Sequence, residues 1–272
     1  MNSFIKMLKK IKRFVFLKPN ERKAVENLFP LDNLSTRILC YKISPDTQRH
    51  RSVIYTCITG GYDELIQPTY YNRKWDYICF TDNTNWLDKR KIGVWRIKPL
   101  IYNERSNQLN NRWHKLFPYK LFPEYDSSIY IDGNVDILDD FLFLQIENKK
   151  SDLVIPVHYI NNCIYQEIKT VKKLKKAAPA DLIKIKEFLT AAGFPKSYGL
   201  TENNIIYRKH DSPIIRKIME EWWDMLKIVP RDQLSLCYLL WKYKIPVDSV
   251  SIPNARLENK HFAFYLRSRK RI

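Results

Sequence analysis

Ser128-Ile-Tyr-Ile-Asp-Gly-Asn-Val-Asp-Ile137 is the stretch on which the reading of this chain turns. Ile129, Tyr130 and Ile131 are β-branched and aromatic, which predicts a buried strand, and the run stops at Asp132. Gly133, Asn134 and Asp136 crowd the positions that follow. A carboxylate at the end of a buried strand is placed to hold a divalent cation, and the cation in turn neutralises an anionic ligand such as a diphosphate. The competing reading is a strand that ends in an ordinary Asp-Gly turn.

Moving outward, the same pattern recurs. Ser52-Val-Ile-Tyr-Thr-Cys-Ile58 predicts a strand that runs into Thr59-Gly60-Gly61-Tyr62-Asp63, and the glycines let the backbone approach a ligand closely. Trp75 to Phe80 predicts a second strand ending in Thr81-Asp82-Asn83, and Gly93 to Ile97 a third. Helices are expected over Asn103–Leu116, Cys163–Lys176, Asp181–Ala192, Pro213–Leu226 and Asp232–Tyr243, with further strands at Leu153–Val157 and Asn204–Tyr207. Strands alternate with helices and polar residues collect at strand ends. The expected fold is therefore α/β, an open, mostly parallel sheet that binds ligands beyond the carboxyl ends of its strands.

The charge is uneven. Of the formal +18, residues 1–24 supply a net +7 and residues 256–272 a net +5, which leaves a small excess for the body. Phe4, Met7, Leu8, Ile11 and Val15 recur at helical spacing among lysines, so residues 1–50 read as a basic amphipathic segment with a connector. Such a segment lies on an anionic leaflet, and no run approaches the roughly 20 apolar residues that span a bilayer. Residues 51–255 read as one catalytic domain and 256–272 as a basic tail. No nucleic-acid motif accompanies the charge, so nucleic acid is not the expected partner. The five cysteines are odd in number and lack Cys-x-x-Cys spacing, which predicts free thiols rather than a zinc site.

Several residues are candidates for chemistry. Thr59, Gly60, Gly61 and Tyr62 with Asp82 would form one nucleotide pocket, Tyr62 stacking on the base. Arg112, Lys115 and Lys120 precede the acidic strand end, where cations meet a diphosphate. His158 follows the strand at Leu153 and either ligates a metal, bonds a sugar, or sits satisfied in its loop; His261 is a weaker case of the same kind. Asp232 opens a helix, where it serves either as a first-turn stabiliser or as a sugar-facing base or hydroxyl anchor. The absence of Gly-x-Gly-x-x-Gly and of Gly-x-Ser-x-Gly excludes the usual nicotinamide and acyl-transfer signatures.

In this order the residues resemble a glycosyltransferase-like family of bacterial surface-polysaccharide loci and of plant Golgi proteins linked to turgor and mucilage. The matching stretches are Tyr55–Asp63, Asp76–Asp82, Lys120–Asn134, Cys163–Glu167, Thr201–Ile206, Glu221–Trp223 and Arg231–Ser235. The resemblance implies a GT-A type fold, Rossmann-like with a mixed, mostly parallel sheet flanked by helices. It also implies a nucleoside-diphosphate sugar as donor and a hydroxyl acceptor on a lipid-linked, lipopolysaccharide or capsule glycan. Asp132 and Asn134 then stand where related transferases carry an Asp-x-Asp metal motif for Mn2+ or Mg2+, while His158, Glu202 and Asp232 approach the sugars. Two departures matter: Asn134 is a neutral amide, and Asn161 stands where the family pattern has arginine. The expected setting is cytoplasmic, peripheral at the inner face of the membrane. The rival expectation is a non-catalytic glycan- or nucleotide-binding module on the same fold.

Overall fold

The computed structural model describes residues 51–265 and two short pairing segments, Leu28–Phe29 and Lys42–Ile43. The expected amphipathic helix before residue 18 and the basic residues after 265 lie outside the described residues.

Thirteen strands are described: β1 (Leu28–Phe29), β2 (Lys42–Ile43), β3 (Ser52–Ile58), β4 (Tyr70–Tyr71), β5 (Trp75–Thr81), β6 (Lys91–Ile92), β7 (Trp95–Pro99), β8 (Ser127–Ile131), β9 (Val135–Ile137), β10 (Leu153–Pro156), β11 (Ile205–Lys209), β12 (Ser251–Ile252) and β13 (Phe262–Tyr265). The helices are α1 (Thr84–Lys89), α2 (Asn107–Leu116), α3 (Pro118–Leu121), α4 (Phe141–Lys149), α5 (Ile164–Lys173), α6 (Pro179–Ala191), α7 (Pro213–Ile228), α8 (Leu236–Lys242) and α9 (Val247–Val250).

The main sheet has eight strands in the order β12-β10-β11-β8-β3-β5-β7-β6. β3 is its centre: all seven of its residues are buried, and it pairs in parallel with β5 on one side and β8 on the other. Only β11 and the edge strand β6 run against the rest. This is the mixed, mostly parallel sheet flanked by helices that the sequence predicts. Alternation sorts the strand side chains onto two faces. Tyr55, Cys57, Phe80, Tyr130 and Ile206 pack against α2, α7 and α8. Ile54, Ile58, Cys79, Ile129 and Ile131 pack against α4 and a three-stranded sheet, β1-β13-β9.

Local differences from the sequence reading have physical causes. Ser106 caps α2 by accepting from the Leu109 amide, so the helix begins at Asn107 and not at residue 103. The expected helix over 232–243 divides into a 3-10 turn, Asp232–Leu234, and α8, with Ser235 non-helical between them. The expected boundary at 255 is crossed, since β13 pairs with β9 and belongs to the domain. Cys57, Cys79, Cys163 and Cys237 are buried free thiols, as expected.

Candidate active site at one edge of the sheet

The parallel strands deliver their carboxyl ends to one edge, and the amino end of β11 joins them there. Thr59 and Gly60 follow β3, Asp82 follows β5, Asp132 follows β8 and His158 stands just beyond β10.

At β3 the chain reverses through Gly60 and Gly61, both at positive φ (62° and 60°), with the Tyr62 amide donating to the Thr59 carbonyl. Gly60 donates its amide to both oxygens of Asp82, at 3.0 and 2.8 Å, so the first two strand ends are tied together. Thr59 Oγ1 donates to the Asn107 carbonyl at 2.8 Å. Tyr62 is 58% exposed, which leaves a ring face for stacking. The turn also reaches the acidic stretch: a Cβ on Gly133 would stand 2.9 Å from Ile58 and 3.1 Å from Asp63. Glycine at 133 is therefore what lets the Asp132 loop lie directly on the end of β3.

Beside that loop stands a buried charge cluster. Lys115, on the last turn of α2, is 1% exposed and donates to Asp232 Oδ2 at 2.7 Å, with Asp132 Oδ1 at 3.6 Å. Its ammonium lies 5.0 Å from the centre of the Tyr130 ring. Arg112, one helical turn earlier on the same face, brings Nε to 3.6 Å from Asp232. Burial alone would raise the Asp232 carboxyl, but Arg112, Lys115 and Arg231 hold it well below the usual carboxylate range. Such a carboxylate anchors hydroxyls well and takes protons poorly.

The turn of α2 that carries Lys115 is itself braced. Arg208, fully buried on β11, donates to the Lys115 carbonyl at 2.5 Å and to the Tyr55 hydroxyl at 2.7 Å. A cation at a helix carboxyl end satisfies carbonyls that the helix leaves unpaired. Burial lowers the Arg208 guanidinium and raises the Tyr55 hydroxyl to about 12, so the pair stays Arg+ with neutral Tyr.

The remaining candidates divide. His158 Nδ1 accepts from the amides of Ile160 and Asn161, at 3.2 and 3.0 Å, and its Nε2 lies 3.7 Å from Glu167. Burial, then Arg256, Arg231 and Lys176, lower it to about 4, so the ring is neutral near pH 7. Asn161 donates to Glu167 at 2.7 Å. Glu202 is buried against Arg256 Nε, and burial raises its carboxyl despite that cation. Lys120 does not join the cluster: it is exposed on α3 with its ammonium over the Phe117 ring, 4.3 Å away. His261 stacks on Phe141 and pairs with Asp139 at 2.8 Å, a structural role. Sequence reasoning assigns no site role to Arg208, Arg231 or Arg256. Arg231 opens a matched stretch without a role of its own, Arg256 falls in the supposed tail, and no periodicity marks any of the three.

A divalent cation would meet Asp132, whose side chain is 18% exposed, as its charged ligand. Asn134 donates its amide nitrogen to the Tyr265 carbonyl at 3.0 Å, so only its oxygen has ligand character. Asp136 is engaged by the Thr69 amide and hydroxyl, at 2.7 and 2.8 Å. Among the described residues, no group of three or more His, Cys, Asp or Glu stands close enough to hold a metal unaided. The donor set fits a cation of the Mg2+ kind, which takes one or two protein oxygens and fills its other positions from substrate phosphates and water.

Three solved structures align with parts of this chain. The WbbM bifunctional glycosyltransferase aligns at TM-score 0.40 and 13% identity over 72% of this chain, which spans 38% of that protein's length. Mouse xyloside xylosyltransferase 1 aligns at 0.41 and 7% over 76% of this chain and 85% of its own. The mannosyltransferase Ktr4p of S. cerevisiae aligns at 0.39 and 10% over 84% and 79%. No curated protein matches the sequence. A family description, TOD1/MUCI70, glycosyltransferase-like domain, matches residues 40–260, which is most of the chain and spans the strand ends just described. The chain therefore belongs to the TOD1/MUCI70 glycosyltransferase-like family.

Proposed function

We propose that the protein moves a hexose-type sugar from a nucleoside-diphosphate donor to a hydroxyl of a lipid-linked, lipopolysaccharide or capsule glycan. The observation that carries this is the contact of Gly133 with the end of β3. It sets the Asp132 carboxylate and the Lys115 cluster against the loop that offers Gly60, Gly61 and Tyr62. A nucleoside fits on the exposed Tyr62 ring beside Asp82 and Thr59, and its diphosphate extends towards Asp132 and Lys115.

In this reading the leaving diphosphate is neutralised by Lys115 and Arg112. Asp132 and the Asn134 oxygen would hold Mn2+ or Mg2+, which supplies further positive charge to the same oxygens. Asp232, locked as an anion, anchors a sugar hydroxyl. Glu202, with its raised carboxyl, is the better matched proton acceptor for the attacking hydroxyl, and neutral His158 orients the acceptor. Asp132→Ala is expected to abolish transfer in a panel of nucleotide sugars while the variant keeps its thermal unfolding cooperativity. Wild-type turnover in that variant removes the site, and wild-type binding without donor hydrolysis or transfer returns the binding-module reading.

The setting proposed is the inner face of the cytoplasmic membrane, with the basic residues near both ends on anionic lipid. No helix among the described residues is long and apolar enough to cross a membrane. Deleting residues 1–18 is expected to move the protein from the membrane to the soluble fraction, and unchanged fractionation refutes the anchor.

A further inference from the structure

Residues 202–204 concentrate unanswered polarity beside the strand ends, the Glu202 amide bonding Pro156 and the Asn204 carbonyl the Asp132 amide. Glu202, Asn203 and Asn204 are 3%, 1% and 3% exposed. Yet Glu202 Oε2, Asn203 Nδ2 and both amide atoms of Asn204 lack a hydrogen-bond partner. Buried polar side chains in folded proteins nearly always have one, so four such atoms on three consecutive residues call for a cause.

Asn204 lies in the turn that enters β11, one residue before the ladder begins. Ile131 pairs with Ile205 in the antiparallel ladder, and the Asp132 amide donates to the Asn204 carbonyl at 2.8 Å. Asp132 and Asn204 are thus opposite one another. Alternation puts their side chains on the face of Tyr130 and Ile206, the face where Lys115 lies over Tyr130. Cross-strand neighbours of this kind have Cβ atoms about 5 Å apart.

We propose that Asn204, assisted by Asn203, is the subsite for the donor's sugar ring and reads adjacent hydroxyls of a neutral hexose. The proposal rests on the glycosyltransferase reading above and deepens it. A carboxamide presents a donor and an acceptor side by side, and each hydroxyl of a vicinal diol can answer either. Asp132 stands opposite and Glu202 two residues before, and the cations beside them, Lys115 and Arg256, are already paired with Asp232 and Glu202, so an acidic sugar would add a carboxylate without a cation of its own. The unpartnered atoms are closed to solvent, and a ring reaches them only when a neighbour gives way. Arg256, 30% exposed and held to the other oxygen of Glu202, is the group that would have to move.

Calorimetric titration of UDP, GDP, UDP-glucose, UDP-galactose, GDP-mannose and UDP-glucuronate onto wild type, Asn204→Leu and Asn204→Ser tests this. Wild type is expected to bind one neutral sugar nucleotide about tenfold tighter than its parent diphosphate. Asn204→Leu is expected to lose that gain and keep the diphosphate affinity. Its Tm without ligand should hold or rise, because hydrocarbon of similar volume replaces an amide with no partner. Asn204→Ser, which restores one hydroxyl, should recover part of the gain. A sugar gain that survives in Asn204→Leu, or UDP-glucuronate as the tightest ligand, overturns the subsite alone. Wild type that binds no nucleotide at all overturns the reading beneath it as well.

Discussion

Lys115 holds an ammonium between carboxylates that come from distant parts of the sequence, Asp132 close by and Asp232 117 residues on. Removing one member of a buried charge group leaves the others uncompensated, which costs about 3–5 kcal/mol. Lys115→Met is accordingly expected to lower unfolding free energy by that order in urea. Adding Asp232→Leu should return part of it, and a double variant no more stable than the single one would show that the pair is not coupled. The sequence marks Lys115 as a cation near an acidic strand end. It does not show that Asp232 fixes it, because that pairing depends on how α2 and the turn after α7 pack. Nor is Arg208 legible: in a strand of five it reads as an exposed basic residue, whereas the fold buries it against a helix end.

At the scale of elements, the legible parts are the parallel strands. They are buried on both faces and appear as continuous apolar runs with abrupt polar ends, so the amino-acid pattern alone places Thr59, Asp82 and Asp132 together. The direction of β11 is not legible in this way, since a short apolar run looks alike whether parallel or antiparallel. The β3 turn offers a contrast within one loop. A Cβ at Gly60 would stand 2.2 Å from Asn107 Nδ2, whereas at Gly61 nothing lies within 4 Å. Both positions carry the left-handed penalty of about 1–2 kcal/mol for an L residue. Gly60→Ala is therefore expected to be the more destabilising variant and to weaken nucleotide binding, because it also forces the Asn107 side chain away from the turn. Equal effects from Gly61→Ala, measured by denaturation and nucleotide titration, would contradict this account.

For the molecule as a whole, buried neutral imidazoles set the acid limit. His114 Nδ1 bonds the Asn110 carbonyl at 2.8 Å while its Nε2 accepts from the Ile101 amide at 3.0 Å, and His158 accepts two amides. Charging either ring breaks an accepted bond, and burial first of all lowers both to about 4. Their unfolded value is about 6.5, so between those limits the unfolded chain binds more protons and stability falls as pH falls. Each ring contributes a slope of up to about 1.4 kcal/mol per pH unit. Unfolding free energy should be level between about pH 7 and 8 and drop from about pH 6.5 towards 4, with His114→Gln flattening part of the drop. A flat profile through that window would show that these rings charge without loss.

The small sheet has a practical consequence for anyone handling the protein. Asn134 bonds Tyr265 through both its side chain and its backbone, and β1 pairs with β13 at the same residue, Phe29 opposite Tyr265. The polypeptide is therefore routed past the loop that follows Asp132 twice, once near residue 29 and once near residue 265. Affinity tags, fluorophores or chip linkers attached close to either passage will crowd that loop, so immobilisation is better made through an engineered cysteine on the exposed side of α6, away from it.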